Sequence, residues 1–349
     1  MLVKAKKESP AFIQTSLAAA ICLGLERGKF LRGAKTTCLN LLLTYNNGCA
    51  ASCAYCGLNG KRALDIDKTF IRVKWPTYSL EEVLNRLENN KHPFKRMCMS
   101  MITHRQALED TCTIISNFKN KVNMPVSALI SPTVMNGRDD LYKLKAAGTD
   151  HVGIAIDAAT PEIFDRYRGS GTGGPHRWDK YWQTLAEALD VFGAKKAGVH
   201  LIVGLGETEK EMVATIARAN RMGAPTHLFS FYPEPGSLLA SHPQPPIPQY
   251  RRVQLARYLI NEDIITEDAI SFSPEGQIAD FGVNIEPYIF RGLAFMTSGC
   301  PGEDGMVACN RPFANERVSQ PLRNYPFLPE LPDIEIIRQQ LDDGTSVHA

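Results

Sequence analysis

From residue 36 to about residue 262 the chain alternates apolar runs of strand length with segments of helical period, and no other feature narrows its possible folds so far. The apolar runs are Thr36–Tyr45, Lys95–Thr103, Pro125–Ile130, His151–Ile156, Val199–Val203 and His227–Phe231. Between and after them lie helical segments at Ser79–Glu88, Gln106–Phe118, Asp139–Ala147, Trp178–Phe192, Glu207–Met222 and Pro248–Asn261. Ser79-Leu80-Glu81-Glu82 reads as a capping box, and Thr208 opens another helix. Strands that re-enter a sheet in the same direction need a crossover, which a helix supplies. Six such units without a dinucleotide-binding glycine fingerprint predict an α/β fold, a partial or near-complete (β/α)6-type barrel. Its functional site belongs at the C-terminal ends of the strands.

Three regions follow from this rhythm. Residues 1–35 read as an N-terminal helical segment, 36–262 as the barrel, and 263–349 as a Pro- and Gly-rich extension expected to lie against the barrel mouth. Lys4, Lys6 and Lys7 ahead of Ala18–Leu23 imitate a secretion signal. Gln14, Thr15 and Ser16 interrupt that run, however, and Glu26-Arg27 follows at helical spacing. A leading helix starting at Ser9-Pro10 and stopping at Gly28 is the better reading. A net charge of +2 demands neither nucleic acid nor an anionic membrane, and no run is long enough to span a bilayer.

Nine cysteines need a reason, and three of them stand in the loop Asn47-Gly48-Cys49-Ala-Ala-Ser-Cys53-Ala-Tyr55-Cys56-Gly57, directly after the first strand. An odd count in a long chain argues against a disulfide framework and for reduced thiolates, hence for a reducing, cytoplasmic setting. Zinc prefers four ligands, and no neighbouring His or Cys completes four here. Three thiolates at C-x3-C-x2-C spacing suit three irons of a [4Fe–4S] cubane, leaving the fourth iron open. The loop resembles the motif of the radical S-adenosylmethionine (SAM) superfamily.

That resemblance implies SAM on the open iron and a 5′-deoxyadenosyl radical, with Tyr55 beside the cofactor. Gly198-Val-His-Leu-Ile-Val-Gly204-Leu-Gly206-Glu207-Thr208 is similar to the superfamily's adenine-contacting strand, so Gly204, Gly206 and Glu207 are expected at the cofactor. Asp157, closing the fourth strand, and Arg166 after it are expected there too. The plainer reading is a turn cap for Asp157 and a solvated charge for Arg166. The superfamily's Gly-Gly-Glu after the second strand has no counterpart, since Ser100–His104 stands in its place.

A second cysteine set, Cys300 and Cys309, lies in the block CPGEDGMVACNRPFANE. Cys98 on the second strand is the best third member, with Cys38 on the first strand as the alternative. Cys22 and Cys112 read as core. A disulfide or a zinc pair is the plainer reading of Cys300 and Cys309. The chain as a whole is similar to biotin-synthase-related proteins that act as a two-protein lipoyl synthase. It lacks both the N-terminal cysteines of common lipoyl synthases and the third- and fifth-strand cysteines of biotin synthase. The resemblance implies a sulfur-donating auxiliary cluster, a second [4Fe–4S], on Cys98, Cys300 and Cys309, with Ser319 as fourth ligand. It implies sulfur insertion at C6 or C8 of an octanoyl-lysyl lipoyl carrier protein, together with a partner homologue and a low-potential electron donor. A biotin-synthase-like enzyme acting on a small molecule is the alternative. Met97, Met99, Met101 and Phe231 are expected as soft lining for an alkyl chain, or simply as core.

Overall fold

The computed structural model describes residues 7–59, 69–70, 72–317 and 320–342. Eight strands form its main sheet: β1 (Phe12–Thr15), β2 (Cys38–Leu42), β3 (Thr77–Ser79), β4 (Arg96–Ser100), β5 (Val126–Ile130), β6 (His151–Asp157), β7 (Ala197–Val203) and β8 (Thr226–Ser230). Their spatial order is β8-β7-β6-β5-β4-β2-β1-β3. The strands β2, β4, β5, β6, β7 and β8 are parallel and stand in chain order, as in a barrel that does not close. All six expected strands are present, each within a few residues of its predicted limits.

The helices are α1 (Leu17–Cys22), α2 (Leu80–Asn89), α3 (Ala107–Lys121), α4 (Arg138–Ala147), α5 (Pro161–Tyr167), α6 (Trp178–Phe192), α7 (Glu209–Arg221), α8 (Ile247–Asn261), α9 (Glu286–Arg291), α10 (Arg311–Ala314) and α11 (Leu331–Asp342). The α2 helix shows why the pattern was readable. Ser79 caps it by accepting from the Glu82 amide, and Leu80, Val83, Leu84 and Leu87 fall on one buried stripe. Among the described residues no helix is long and apolar enough to cross a membrane.

Strand alternation sorts the barrel's side chains. On β4, Met97 and Met99 join the main core shared with the helices, while Arg96, Cys98 and Ser100 occupy the other face. On β2, Leu39 and Leu41 go to that core, and Cys38 turns to the same side as Cys98.

Two expectations are corrected. The leading segment is not one helix. Phe12–Thr15 is a strand with Ile13 and Thr15 buried, paired antiparallel with β2 and β3, and the helix after it is only Leu17–Cys22. The edge of β2 would otherwise leave its backbone groups unpaired, and β1 satisfies them. The second correction concerns residues 296–311, which lie across the N-terminal ends of the strands, opposite the mouth. Thr37, just before β2, donates through its hydroxyl to the Ala308 carbonyl at 2.8 Å. Lys95, just before β4, pairs with Asp304 at 2.7 Å, and Arg96 donates to the Pro301 carbonyl. The His227 ring, at the start of β8, lies 3.3 Å from the Ser298 hydroxyl. Composition located this extension but could not say which end it covers.

Candidate active site

At the C-terminal ends of the strands a cavity of about 1090 Å³, counting the space at its open mouth, is lined by Cys49, Cys53 and Cys56. Their loop is held from several sides. The Ala50 amide donates to the Thr103 carbonyl at 2.8 Å, the Ala54 amide to Tyr167 at 2.7 Å, and the Ser52 hydroxyl to Thr172 at 2.9 Å. Two backbone amides point at the thiols: Thr103 at Cys49 and Leu58 at Cys56, each 3.4 Å from sulfur. Such donors stabilise a thiolate or a cluster-bound sulfur. Burial pushes the Cys53 thiol up to about 11, while the Arg168 guanidinium draws it down. Burial likewise pushes Cys56 up, and the Cys53 and Cys49 thiols add to the rise. A cationic iron centre would reverse that balance, since it takes the thiols as thiolates and neutralises their charge. The residues present therefore fit the [4Fe–4S] cluster.

Beside the loop runs a buried polar chain. The Tyr55 hydroxyl donates to Asp157 at 2.6 Å, and Arg168 pairs with the same carboxylate oxygen at 2.7 Å. Arg168 also donates to the Ala155 and Ile156 carbonyls and to the Tyr181 hydroxyl. Asp157 has φ +67°, a left-handed conformation uncommon for a residue with a side chain, at a register shift between Ala155 and Asp157. The shift turns its carboxylate to the cavity, where such strain is typical of working sites. Beyond it, His176 touches Thr133 at 2.6 Å and Tyr181 at 2.9 Å. Burial, with Arg168 adding, holds His176 down to about 2, so the ring is neutral.

The expected residues divide. Tyr55 and Asp157 line the cavity, whereas Arg166 is exposed on α5 and Arg168 stands in its place. The glycine-rich segment after β7 is a turn. Gly204 has φ +104°, and a Cβ there would meet the Pro245 ring at 2.6 Å. The Glu207 carboxylate turns back to accept from the Gly204 and Leu205 amides at 2.6 and 2.9 Å. It braces that turn rather than lining the cavity, and Gly206 is exposed. The β7 residues that do line the cavity are His200 and Ile202. In place of a Gly-Gly-Glu, the segment after β4 offers Met101, Ile102 and Thr103, with the Thr103 and Ser131 hydroxyls 3.0 Å apart. Met101 and Phe231 line the cavity as expected; Met97 and Met99 are core.

Below the mouth lies a second cavity of about 350 Å³, lined by Cys98, Cys300 and Cys309. It shares Leu129, His200, Phe229 and Arg311 with the first, so one layer of side chains separates the two. Cys38 does not line it but packs behind it, against Cys98 and Cys309. Hydrogen bonds from the Cys309 and Cys38 thiols, with Arg311 and His200 adding, hold Cys98 well below the usual thiol range. Burial pushes Cys38 up, and burial pushes Cys300 up to about 11. Burial, with Arg311 adding, holds His200 down to about 4. All nine cysteines are free thiols, so no disulfide joins Cys300 to Cys309. Ser319 lies outside the described residues. His200 and Arg311, which line both cavities, carried no sequence signal of their own.

The curated relatives include biotin synthases of two Streptococcus agalactiae strains, serotypes V and III, each 24% identical over 189 residues, covering 53% of this chain and 52% of the relative. The chain thus spans about half the length of the curated relatives it matches. Among solved structures, methylornithine synthase is similar at a TM-score of 0.49 and 12% identity, covering 66% of this chain and 64% of that one. The FeFe-hydrogenase maturase from Carboxydothermus hydrogenoformans also has a TM-score of 0.49, with 16% identity over 65% of this chain and 51% of that one. The family model described as the radical SAM superfamily matches residues 43–219, which run from the end of β2 to α7 and include the three-cysteine loop and Asp157. With that match over half of its length, the chain belongs to the radical SAM superfamily.

Proposed function

We propose that this enzyme is a radical SAM sulfurtransferase of the lipoyl synthase type. It inserts sulfur at C6 or C8 of an octanoyl chain carried on a lysine of a lipoyl carrier protein, and a partner homologue completes the lipoyl group. The observation that carries this reading is the pair of adjoining cavities, one with the three-cysteine loop and one with Cys98, Cys300 and Cys309, which share Leu129, His200, Phe229 and Arg311 as lining. A second [4Fe–4S] cluster on Cys98, Cys300 and Cys309 is the sulfur source in this reading. With both clusters and SAM bound, the site supplies a 5′-deoxyadenosyl radical that takes a hydrogen atom no base could remove as a proton, an electron from a low-potential donor, and sulfide for the new C–S bond.

The protein's own residues do the rest. Cys49, Cys53 and Cys56 hold the first cluster. Tyr55, Asp157 and Arg168 form a fixed polar wall for the SAM ribose or methionyl group. Ile202, Phe231 and Met101 offer apolar surface to the adenine and the alkyl chain, and exclude water from the radical. The cluster chemistry suits a reducing cytoplasm. A second reading, a biotin-synthase-like enzyme acting on a free small molecule, draws on the 24% identity to biotin synthases.

The test is anaerobic iron and sulfide content with electron paramagnetic resonance, on the wild type and on a Cys49/Cys53/Cys56→Ala variant. Retention of about one [4Fe–4S] cluster by the variant supports the reading. Wild-type enzyme should then convert an octanoyl-lysyl carrier to thiolated product. Loss of all iron from the variant sinks it. Turnover of free acids but not of the carrier selects the second reading.

A further inference from the structure

Against the cysteines of the lower cavity packs a fourth, Cys38, that the proposed cluster has not used. The Cys38, Cys98 and Cys309 thiols lie within hydrogen-bonding reach of one another, and Cys300 packs against them. These four come from β2, β4 and both arms of the loop that pairs Pro301 with Val307. Cys98 and Cys309 are buried and Cys38 is wholly so. A single disulfide would still leave two of the four unexplained. Zinc fits poorly, because no three described His, Cys, Asp or Glu side chains converge on one point. A cubane does not ask for that convergence, since each ligand takes a different iron.

A second observation points to the same place. Asn40 is 0% exposed, and neither its side-chain nitrogen nor its oxygen has a hydrogen-bond partner among the described residues. Leaving both polar ends of a buried amide orphaned is costly, so such residues normally face something. Asn40 is two residues from Cys38 on β2, on the same strand face, and its register partner on β4 is Cys98. The thiol cluster and the orphaned amide therefore share one stretch of the barrel's inner face.

We propose that Cys38 is the fourth ligand of the second iron–sulfur cluster, making an all-cysteine site with Cys98, Cys300 and Cys309, and that the Asn40 amide donates to sulfur of that site. The inference rests on the second-cluster reading above and deepens it: Cys38, and not Ser319, completes the set. The residues that would hold this cluster lie below the mouth cavity, on the far side of Leu129, His200, Phe229 and Arg311 from the three-cysteine loop.

The experiment uses the Cys49/Cys53/Cys56→Ala chain, so that only the second site can hold iron. It is reconstituted anaerobically with iron and sulfide and read by iron content, electron paramagnetic resonance and circular dichroism. Adding Cys38→Ala, which removes the thiol and offers no oxygen in its place, should remove most of the iron or leave the signal of a three-iron cluster. Adding Cys112→Ala or Ser319→Ala should leave iron unchanged. Asn40→Leu should keep the iron and shift the cluster's reduction potential downward. Full four-iron content in the Cys38→Ala chain overturns the ligand assignment while the second-cluster reading stands. An unshifted potential in Asn40→Leu overturns the amide's role. A triple variant that takes up no iron, or binds a single zinc instead, overturns both the reading and the inference.

Discussion

Arg168 is the residue on which the mouth cavity depends most. It is buried, pairs with Asp157 at 2.7 Å, and reaches Tyr181 and two β6 carbonyls at once. A lysine cannot reproduce that fork. Arg168→Lys should weaken SAM binding by about 10- to 100-fold, as loss of supporting contacts does at metal sites, with iron content unchanged. Equilibrium binding of SAM to the reconstituted protein measures this, and an unchanged affinity would remove Arg168 from the cofactor wall. Glu207 makes a different prediction. Burial raises its carboxyl to about 7 from an ordinary 4.5, against the pull of the Gly204 and Leu205 amides. The folded state therefore holds the proton more tightly than the unfolded chain. The resulting stability is fully present below about pH 4.5 and is lost as pH rises through about 7. Denaturant unfolding across that window should show a decline of up to about 3 kcal/mol. Glu207→Gln should flatten the slope, whatever it does to the absolute stability.

At the scale of elements, the C-terminal loop depends on a glycine. A Cβ on Gly299 would stand 1.8 Å from the Cys309 carbonyl oxygen, so the two cysteine-bearing arms can meet only with no side chain there. The Cys309 amide then bonds the Cys300 carbonyl at 2.9 Å. Gly299→Ala should part the arms and empty the second site of iron while the mouth site keeps its own. Iron content near half of wild type is the expected reading. The α7 helix is a simpler case: Thr208 and Glu211 form a full capping box. Thr208→Ala should cost about 1 kcal/mol, seen as a lower denaturation midpoint. Caps and helical stripes like these are local and were legible in advance. The strand β1 was not, because its four residues read as strand only once the edge of β2 is there to pair with.

The whole molecule is tied together across its regions by buried charge. Arg252 on α8 meets Glu209 at the start of α7 with contacts of 2.6 and 3.0 Å, and the same carboxylate accepts from the Ile278 amide. Removing one partner leaves the other charged in the core, so Glu209→Ala should destabilise the fold by about 3–5 kcal/mol, read by chemical denaturation. Arg251 likewise joins α8 to the carbonyls of Leu322 and Arg323 and to Gln340 on α11. These contacts bring together residues far apart in the chain, and no periodicity could announce them. By itself the sequence determined the strand–helix alternation, the parallel barrel order and the three-cysteine loop, because each rests on spacing within a few residues. Only the tertiary structure decided that Arg168 and not Arg166 faces the cavity, that Glu207 braces its own turn, and that residues 296–311 cover the closed end of the barrel. Those outcomes depend on which way a side chain points and which strand end a distant segment meets. It also brought Cys38 beside Cys98, Cys300 and Cys309, since the face a strand residue occupies becomes a contact only when the neighbouring strands are in register.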